Sequence, residues 1–311
     1  MRKLLVTGGL GFIGSAVVEH ALRAGREVVI ADLDPAEEEA AERADRMGRL
    51  DGCEVHLGDV RDRRWVDRLY RREGVAATVH LAAFSRARES VASPRLTAEV
   101  NELGTVTVLD AARRWGAYTF VLGSSSSVYG HDAPRPFAED AMGSGPDSPY
   151  GASKRAAELH AHAAYRVHGL KVSVLRLFSV FGPGQRQDMA VARWIRCARE
   201  GRPAPRYGED DTGRDLVHVD DVVAAIDAAV SRAADWLVVN VAGGRAVPPV
   251  ELAGAIATAV GRPIDLEPQP AQPGDAPLGP ADVTRAHVQL GWTPAGDLES
   301  WLRSVAGAAP T

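Results

Sequence analysis

Cysteine is nearly missing: Cys53 and Cys197 are the only two in 311 residues, and they lie far apart in the chain. Two lone thiols build neither a disulfide framework nor a zinc cluster, so a reducing compartment and no metal are the expectation. Positive charge is also short. A formal net charge of −5 and a pI near 6.0 leave no basic footprint for nucleic acid. No window approaches the ~18 uninterrupted apolar residues of a membrane span. The opening MRKLLVTGG sets two basic residues before an apolar run, but that run is only Leu4–Val6 before Thr7, Gly8 and Gly9 end it. It is too short for the core of a secretion signal. Internal repeats and low-complexity tails are missing as well. The expectation is a soluble, cytoplasmic protein with no membrane and no nucleic-acid partner.

What is present is a rhythm. Short β-branched runs occur at Lys3–Thr7, Glu27–Ala31, Glu54–Leu57, Thr78–Leu81, Tyr118–Leu122 and Lys171–Leu177. Between them lie segments of helical period: Phe12–Ala24, Pro35–Met47, Arg63–Arg72, Leu96–Trp115 and Tyr150–His168. Strand and helix in this alternation predict an α/β fold, a doubly wound parallel sheet covered on both faces. Right-handed crossovers gather the strand C-termini along one edge, where such sheets bind ligands. After Leu177 the rhythm loosens, and Pro263–Pro280 holds six prolines, an extended stretch without helix. The division expected is a sheet domain over 1–178, with Arg214–Gly243 returning to it, and a smaller mixed domain over 179–311.

VTGGLGFIG sits between the first strand and the first helix. Gly8, Gly11 and Gly14 have the spacing of a dinucleotide fingerprint. Gly8 permits a tight turn, Gly11 lets the backbone approach a pyrophosphate, and Gly14 lets helix and sheet pack closely. A glycine-rich turn without ligand has the same spacing. The next strand ends VVIADLD, which places Asp32 eighteen residues beyond Gly14. A carboxylate there holds a ribose diol and repels a 2′-phosphate, favouring NAD over NADP; capping a helix before Pro35 is the other use for it. Asp59 in LGDV either meets the adenine or caps a helix. HLAA, His80–Ala83, supplies small residues to lie against a flat cofactor, with His80 itself packed in its strand.

GSSSSVYG, Gly123–Gly130, ends the fifth strand on the same edge. YGASK follows, with Tyr150 and Lys154 four residues apart and therefore on one helical face. An ammonium beside a phenol favours the phenolate and draws the tyrosine pKa towards neutrality, and a nearby serine can hold the substrate oxygen. An exposed helix face yields such a pair by chance, but here it follows the fingerprint, the acidic strand end and the serines in order. Glu158, four residues past Lys154, reads as a surface ion-pair partner.

Taken together, VTGGLGFIG, GDV, HLAA, SVASPRLTAEVNELGT, GSSSSVYG, SPYGASK, LRLFSVFGPGQR, GRDLVHVDDV and LGWTP resemble the extended short-chain dehydrogenases/reductases, specifically the nucleotide-sugar epimerases and dehydratases. The resemblance runs through nearly the whole chain. It implies a Rossmann-like NAD domain, a small C-terminal substrate domain and a homodimer. By resemblance Ser125 and Tyr150 are catalytic, and Lys154 orients the nicotinamide ribose. Phe12, Ile13, Asp59, Val60, Leu81, Ala82 and Ala83 would join the glycines and Asp32 around the cofactor. Asn101 matches an asparagine near the family's active site, with a packing amide as its other reading, and Arg214 resembles the arginine that binds the diphosphate.

Dehydratases of the family carry acidic residues just after the catalytic hydroxyl, because eliminating water needs a further acid and base; similar decarboxylases keep a glutamate there. This chain has Ser126 and Ser127, neither of which titrates near neutrality. Epimerisation by a hydride loan at C4 needs no more than Tyr150. Uronate epimerases resemble the chain most closely. They have threonine where Ser179 stands, a GPGQR followed by Asp-Met, and a GVR-x-S stretch that matches RARES. Arg88, Arg186, Ser126, Ser127 and Ser179 are thus candidates to hold a C6 carboxylate, against a reading of both arginines as solvated. UDP-glucuronate is the expected substrate. The alternatives are a UDP-glucose/galactose 4-epimerase, a UDP-uronate decarboxylase and, from another class, a non-catalytic NAD-sensing scaffold. One departure stands out: Gln272 replaces an arginine that helps many relatives bind the diphosphate.

Overall fold

The structure, a computed structural model, describes residues 3–34, 48, 50, 53–208, 212–275 and 278–306. Its strands are β1 (Lys3–Thr7), β2 (Val28–Asp32), β3 (Glu54–Leu57), β4 (Val75–His80), β5 (Thr119–Ser125) and β6 (Lys171–Leu177). There follow β7 (Ser179–Phe181), β8 (Ala204–Tyr207), β9 (Arg214–His218), β10 (Trp236–Val241), β11 (Ala246–Val247) and β12 (Leu266–Gln269). Seven strands form one parallel sheet in the order β10-β6-β5-β4-β1-β2-β3.

Period-2 alternation splits the strands between two cores. Leu4, Val6, Val28 and Ile30 face one side, against Val17, Val18 and Ala21 of the helix Phe12–Arg23 and Val222, Val223 and Ile226 of the helix Val219–Arg232. Leu5, Val29 and Ala31 face the other. There they meet the helices Arg63–Glu73, Gly104–Trp115 and Pro149–His168 through Leu69, Val108 and Ala157. Strands buried on both faces must be apolar throughout, which is why they are legible as continuous runs.

The helix expected over Leu96–Trp115 starts earlier and changes pitch. It runs as Pro94–Ala98, a π-helical turn Glu99–Leu103 and Gly104–Trp115. The helix expected over 35–47 lies outside the described residues. Strand β5 runs further than expected, through Ser124 and Ser125, which pair with Arg176 and Leu177 of β6.

Beyond β6, β7, β9 and β11 form a three-stranded sheet, and β8 pairs with β12. A third core collects Trp194 and Ile195 of the helix Ala190–Glu200, Leu252 and Ile256 of Pro249–Val260, and Leu298 and Leu302 of Leu298–Ala306. In the segment Arg214–Gly243, β10 lies beside β6 in the large sheet, whereas β9 belongs to the small one. The proline-rich stretch has no helix among its described residues, but β12 runs through it. Pro268 is tolerated there because a strand with one neighbour need not donate on its outer side. Among the described residues no helix is long and apolar enough to cross a membrane.

Candidate active site

The C-terminal ends of β1, β2, β4 and β5 lie along one edge of the parallel sheet. After β1 the chain turns at Gly8, whose φ of 71° and proximity to Ala82 N admit only glycine. A Cβ on Gly14 would stand 2.0 Å from the Gly8 carbonyl oxygen, so helix and turn could not approach as they do. Gly11 is the N-cap of the helix Phe12–Arg23 and no side chain caps it. Phe12 and Ile13 pack half-buried against the first core. At the end of β2 the buried Asp32 accepts from Leu10 N and Leu33 N, both at 2.8 Å. Its carboxylate is thereby tied to the glycine turn.

Asp59 does not cap a helix. It accepts from Arg61 N at 2.8 Å and from the Arg61 guanidinium, and Asp62 caps Arg63–Glu73 by accepting from Arg64 N and Trp65 N. Val60 is buried in the second core, and Leu81, Ala82 and Ala83 are half-buried after β4. His80 is 1% exposed, with Thr7 Oγ1 at 2.7 Å on one ring nitrogen and Thr105 Oγ1 at 3.0 Å on the other. Burial, with Lys154 adding to it, holds its pKa down at about 3, so the ring is neutral.

At the end of β5 and just after it the four serines are all buried. Ser125 caps the short 3₁₀ turn Ser126–Val128 by accepting from Ser127 N at 3.2 Å. Ser148 caps the helix Pro149–His168 in the same way, accepting from Gly151 N at 3.0 Å, with Pro149 at the first helical position. Those two caps bring Tyr150 to the end of β5, close enough to the Ser125 hydroxyl for it to favour the phenolate; that hydroxyl donates to Ser127 Oγ at 3.2 Å. Tyr150 N donates to Ser90 Oγ at 3.1 Å, which fixes the start of the helix from the β4 side.

The expected electrostatics of this pair is not what the structure holds. Burial raises the Tyr150 phenol above its ordinary value, against smaller opposing effects of Ser125 and the Arg186 charge. Lys154 does not lower it, because its ammonium donates to the Gly123 carbonyl at 2.9 Å and lies 6.0 Å from the phenol ring centroid. Lys154 itself is buried, and its pKa falls to about 8. A second expectation fails outright. Glu158 is no surface residue: its side chain is 2% exposed. It accepts from Ser124 Oγ at 2.6 Å, from Arg176 at 2.9 and 2.8 Å, and from Arg155 at 2.8 Å. Spacing alone could not show that this helix turns such a wide face inward. A guanidinium in the middle of the apolar run KVSVLRLF was the available signal, since a buried arginine needs a buried anion.

The remaining candidates divide into groups. Arg88 forms a bidentate pair with Asp275, at 2.6 and 3.2 Å, and its guanidinium stacks 4.1 Å from the Tyr207 ring centroid. Arg214 of β9 reaches the same carboxylate at 4.0 Å. Arg186 pairs with Asp188 at 2.9 Å and donates to Ser85 Oγ at 3.2 Å. Ser179 opens β7, half-buried, and Ser126 and Ser127 line the turn after β5. Asn101 turns into the protein: in the π-helical turn, its amide accepts from Phe84 N at 2.7 Å and donates to Phe84 O and Ser153 Oγ. Gln272 donates to Pro270 O at 3.2 Å. Tyr207 has no motif around it that singles it out in the sequence, whereas Asp275 is the aspartate of QPGD, the stretch that places Gln272.

A family model described as NAD dependent epimerase/dehydratase family matches residues 4–242. The chain is 29% identical to the UDP-glucuronate 4-epimerase of Thermodesulfobacterium geofontis, over 97% of this chain and 94% of that one. It is 36% identical to the UDP-glucose 4-epimerase of Mycolicibacterium smegmatis, over 94% and 93% of the two chains. Among solved structures it is similar to UDP-glucuronic acid 4-epimerase from Bacillus cereus in complex with UDP-glucuronic acid and NAD. The TM-score is 0.89 at 26% identity, covering 97% of this chain and 96% of that one. The chain belongs to the NAD dependent epimerase/dehydratase family, and its cofactor is NAD. The turn fits that cofactor: Gly8 and Gly14 let the turn close against the end of β4 and the helix, where a Cβ would strike Ala82 N or the Gly8 carbonyl, and the helix above it has no side-chain cap at its N-terminus.

Proposed function

We propose that this member of the family is a UDP-glucuronate 4-epimerase that interconverts UDP-glucuronate and UDP-galacturonate. The observation that carries the reading is the wall around Tyr150. Ser126 and Ser127 are buried hydroxyls where an eliminating or decarboxylating site needs a carboxylate, and the Arg186 charge acts on the phenol. Hydroxyls and a guanidinium suit a sugar carboxylate and supply no second acid or base.

Gly8, Gly11, Gly14, Asp32 and the residues after β4 would hold NAD. When bound, NAD supplies a reversible hydride acceptor and, in its oxidised form, a positive ring charge. The protein's part is proton transfer and position. Tyr150 takes the proton of the sugar 4-hydroxyl as C4 is oxidised and returns it when C4 is reduced from the opposite face. Ser125, beside the phenol at the end of β5, holds the same sugar oxygen in line. Lys154 contributes a buried cation to that corner. Arg88 and Arg214 share one carboxylate, Asp275, so their two positive charges can turn to the diphosphate in place of the arginine that Gln272 replaces.

A second reading, UDP-glucose/galactose 4-epimerase, is favoured by the tie of Arg88 to Asp275, which points that arginine away from a sugar carboxylate. The experiment is to incubate the protein and NAD with UDP-glucuronate and, separately, with UDP-glucose, and to separate the products. UDP-galacturonate as the dominant product supports the proposal. Turnover of UDP-glucose alone establishes the second reading, and carbon dioxide with a UDP-pentose overturns both.

A further inference from the structure

On the helix Pro149–His168, Tyr150, Lys154 and Glu158 follow one another a turn apart. Each meets the end of β5. Tyr150 meets the Ser125 hydroxyl, Lys154 Nζ donates to the Gly123 carbonyl at 2.9 Å, and Glu158 Oε1 accepts from Ser124 Oγ at 2.6 Å. Glu158 is itself seated on Arg176 of β6, the residue paired with Ser124 across the sheet. Both partners of the ion pair are 2% exposed. For stability alone, so dry a pair offers little over apolar side chains of the same volume, because both charges must leave water. Its position suggests another use. The groups facing the Lys154 ammonium are the Gly123 carbonyl from β5, the Tyr150 ring and Glu158 from its own helix, and neutral His80 from β4. Glu158 alone among them is an anion.

We propose that Glu158 is a positioning residue: seated on Arg176, it fixes Ser124, and so the register of Ser125 against Tyr150, and it is the counter-charge that keeps Lys154 an ammonium. The kinetic half of this inference rests on the epimerase reading; the electrostatic half does not. The chain has three lysines, Lys3, Lys154 and Lys171, so carbon-13 NMR of the lysine ε-carbons follows each titration in the full-length protein.

In Glu158→Gln the midpoint of Lys154 is expected to fall by about one pH unit, with that of Lys3 unmoved. Turnover is expected to drop about tenfold at unchanged KM, and Glu158→Asp to recover part of it. Ser124→Ala, which removes one hydrogen bond and little volume, is expected to lower kcat several-fold with KM and melting temperature unchanged. An unshifted Lys154 midpoint in Glu158→Gln, or a wild-type kcat in Ser124→Ala, overturns the proposal. Should Glu158→Gln fail to fold, Ser124→Ala decides the positioning role. If the wild type turns over no UDP-sugar, the functional reading falls and the Lys154 titration decides the counter-charge.

Discussion

Tyr150 and Lys154 are both displaced from their ordinary titration, and in directions that matter for rate. The phenol is raised by burial, while the lysine loses its proton as pH climbs through about 8. If the cation is needed, turnover falls across that pH, and a pH–rate profile at saturating substrate shows a basic limb near 8. Tyr150→Phe removes the one group able to carry the proton. Its kcat is expected to fall by about 10³-fold or more, with substrate still bound when binding is measured by calorimetry. His80 takes up its proton at a far lower pH than a surface histidine. The unfolded chain takes up a proton as pH falls through about 6.5, whereas the folded ring resists until about 3. Its contribution to stability is fully present above 6.5 and is lost as pH falls through that window, by up to about 1.4 kcal/mol per unit. Urea unfolding at pH 7 and pH 4.5 should show this slope, and a His80→Gln variant a shallower one.

At the level of elements, legibility follows burial. Strands β1 and β6 are readable to the residue because mostly apolar runs buried on both faces have little polar alternative. The end of β5 is not, since Ser124 and Ser125 have low strand preference and stay extended only through pairing with Arg176 and Leu177. Likewise the π-helical turn leaves no mark in the hydrophobic period. It is visible only where Asn101 braces Phe84 and Ser153. The motifs were readable because each demands a residue type, a Gly at Gly14 or a phenol at Tyr150, whereas Glu158 was misread because spacing does not say which helix face is buried. The glycine turn carries a sharp prediction. Gly14→Ala would force a Cβ onto the Gly8 carbonyl oxygen and separate helix from turn. Loss of retained NAD, measured by releasing the nucleotide from the purified variant with acid, is the expected result.

Across the whole molecule, the pair Arg88–Asp275 joins segments 187 residues apart, and the turn at Gly274 packs against the Ala87 carbonyl and Val91. Arg88→Ala should therefore raise KM for a UDP-sugar about tenfold while leaving kcat nearly intact, since Arg88 has no part in setting the Tyr150 pKa. Leu103, Leu159 and Val167 are exposed on the helices that cover one face of the sheet. With the family resemblance, they make a homodimer our expectation, which light scattering on the eluting protein checks by mass. The place of β10 has a further consequence, for the protein while it is being made. The six strands β1–β6 are complete once residue 177 has been synthesised, but β10, which covers the open side of β6, does not leave the ribosome until some sixty residues later. Until then the nascent chain presents the bare, apolar edge of β6, a template for pairing with another chain. Slower translation between the codons of β6 and β10 is therefore expected to lengthen the time this edge stays open to mispairing.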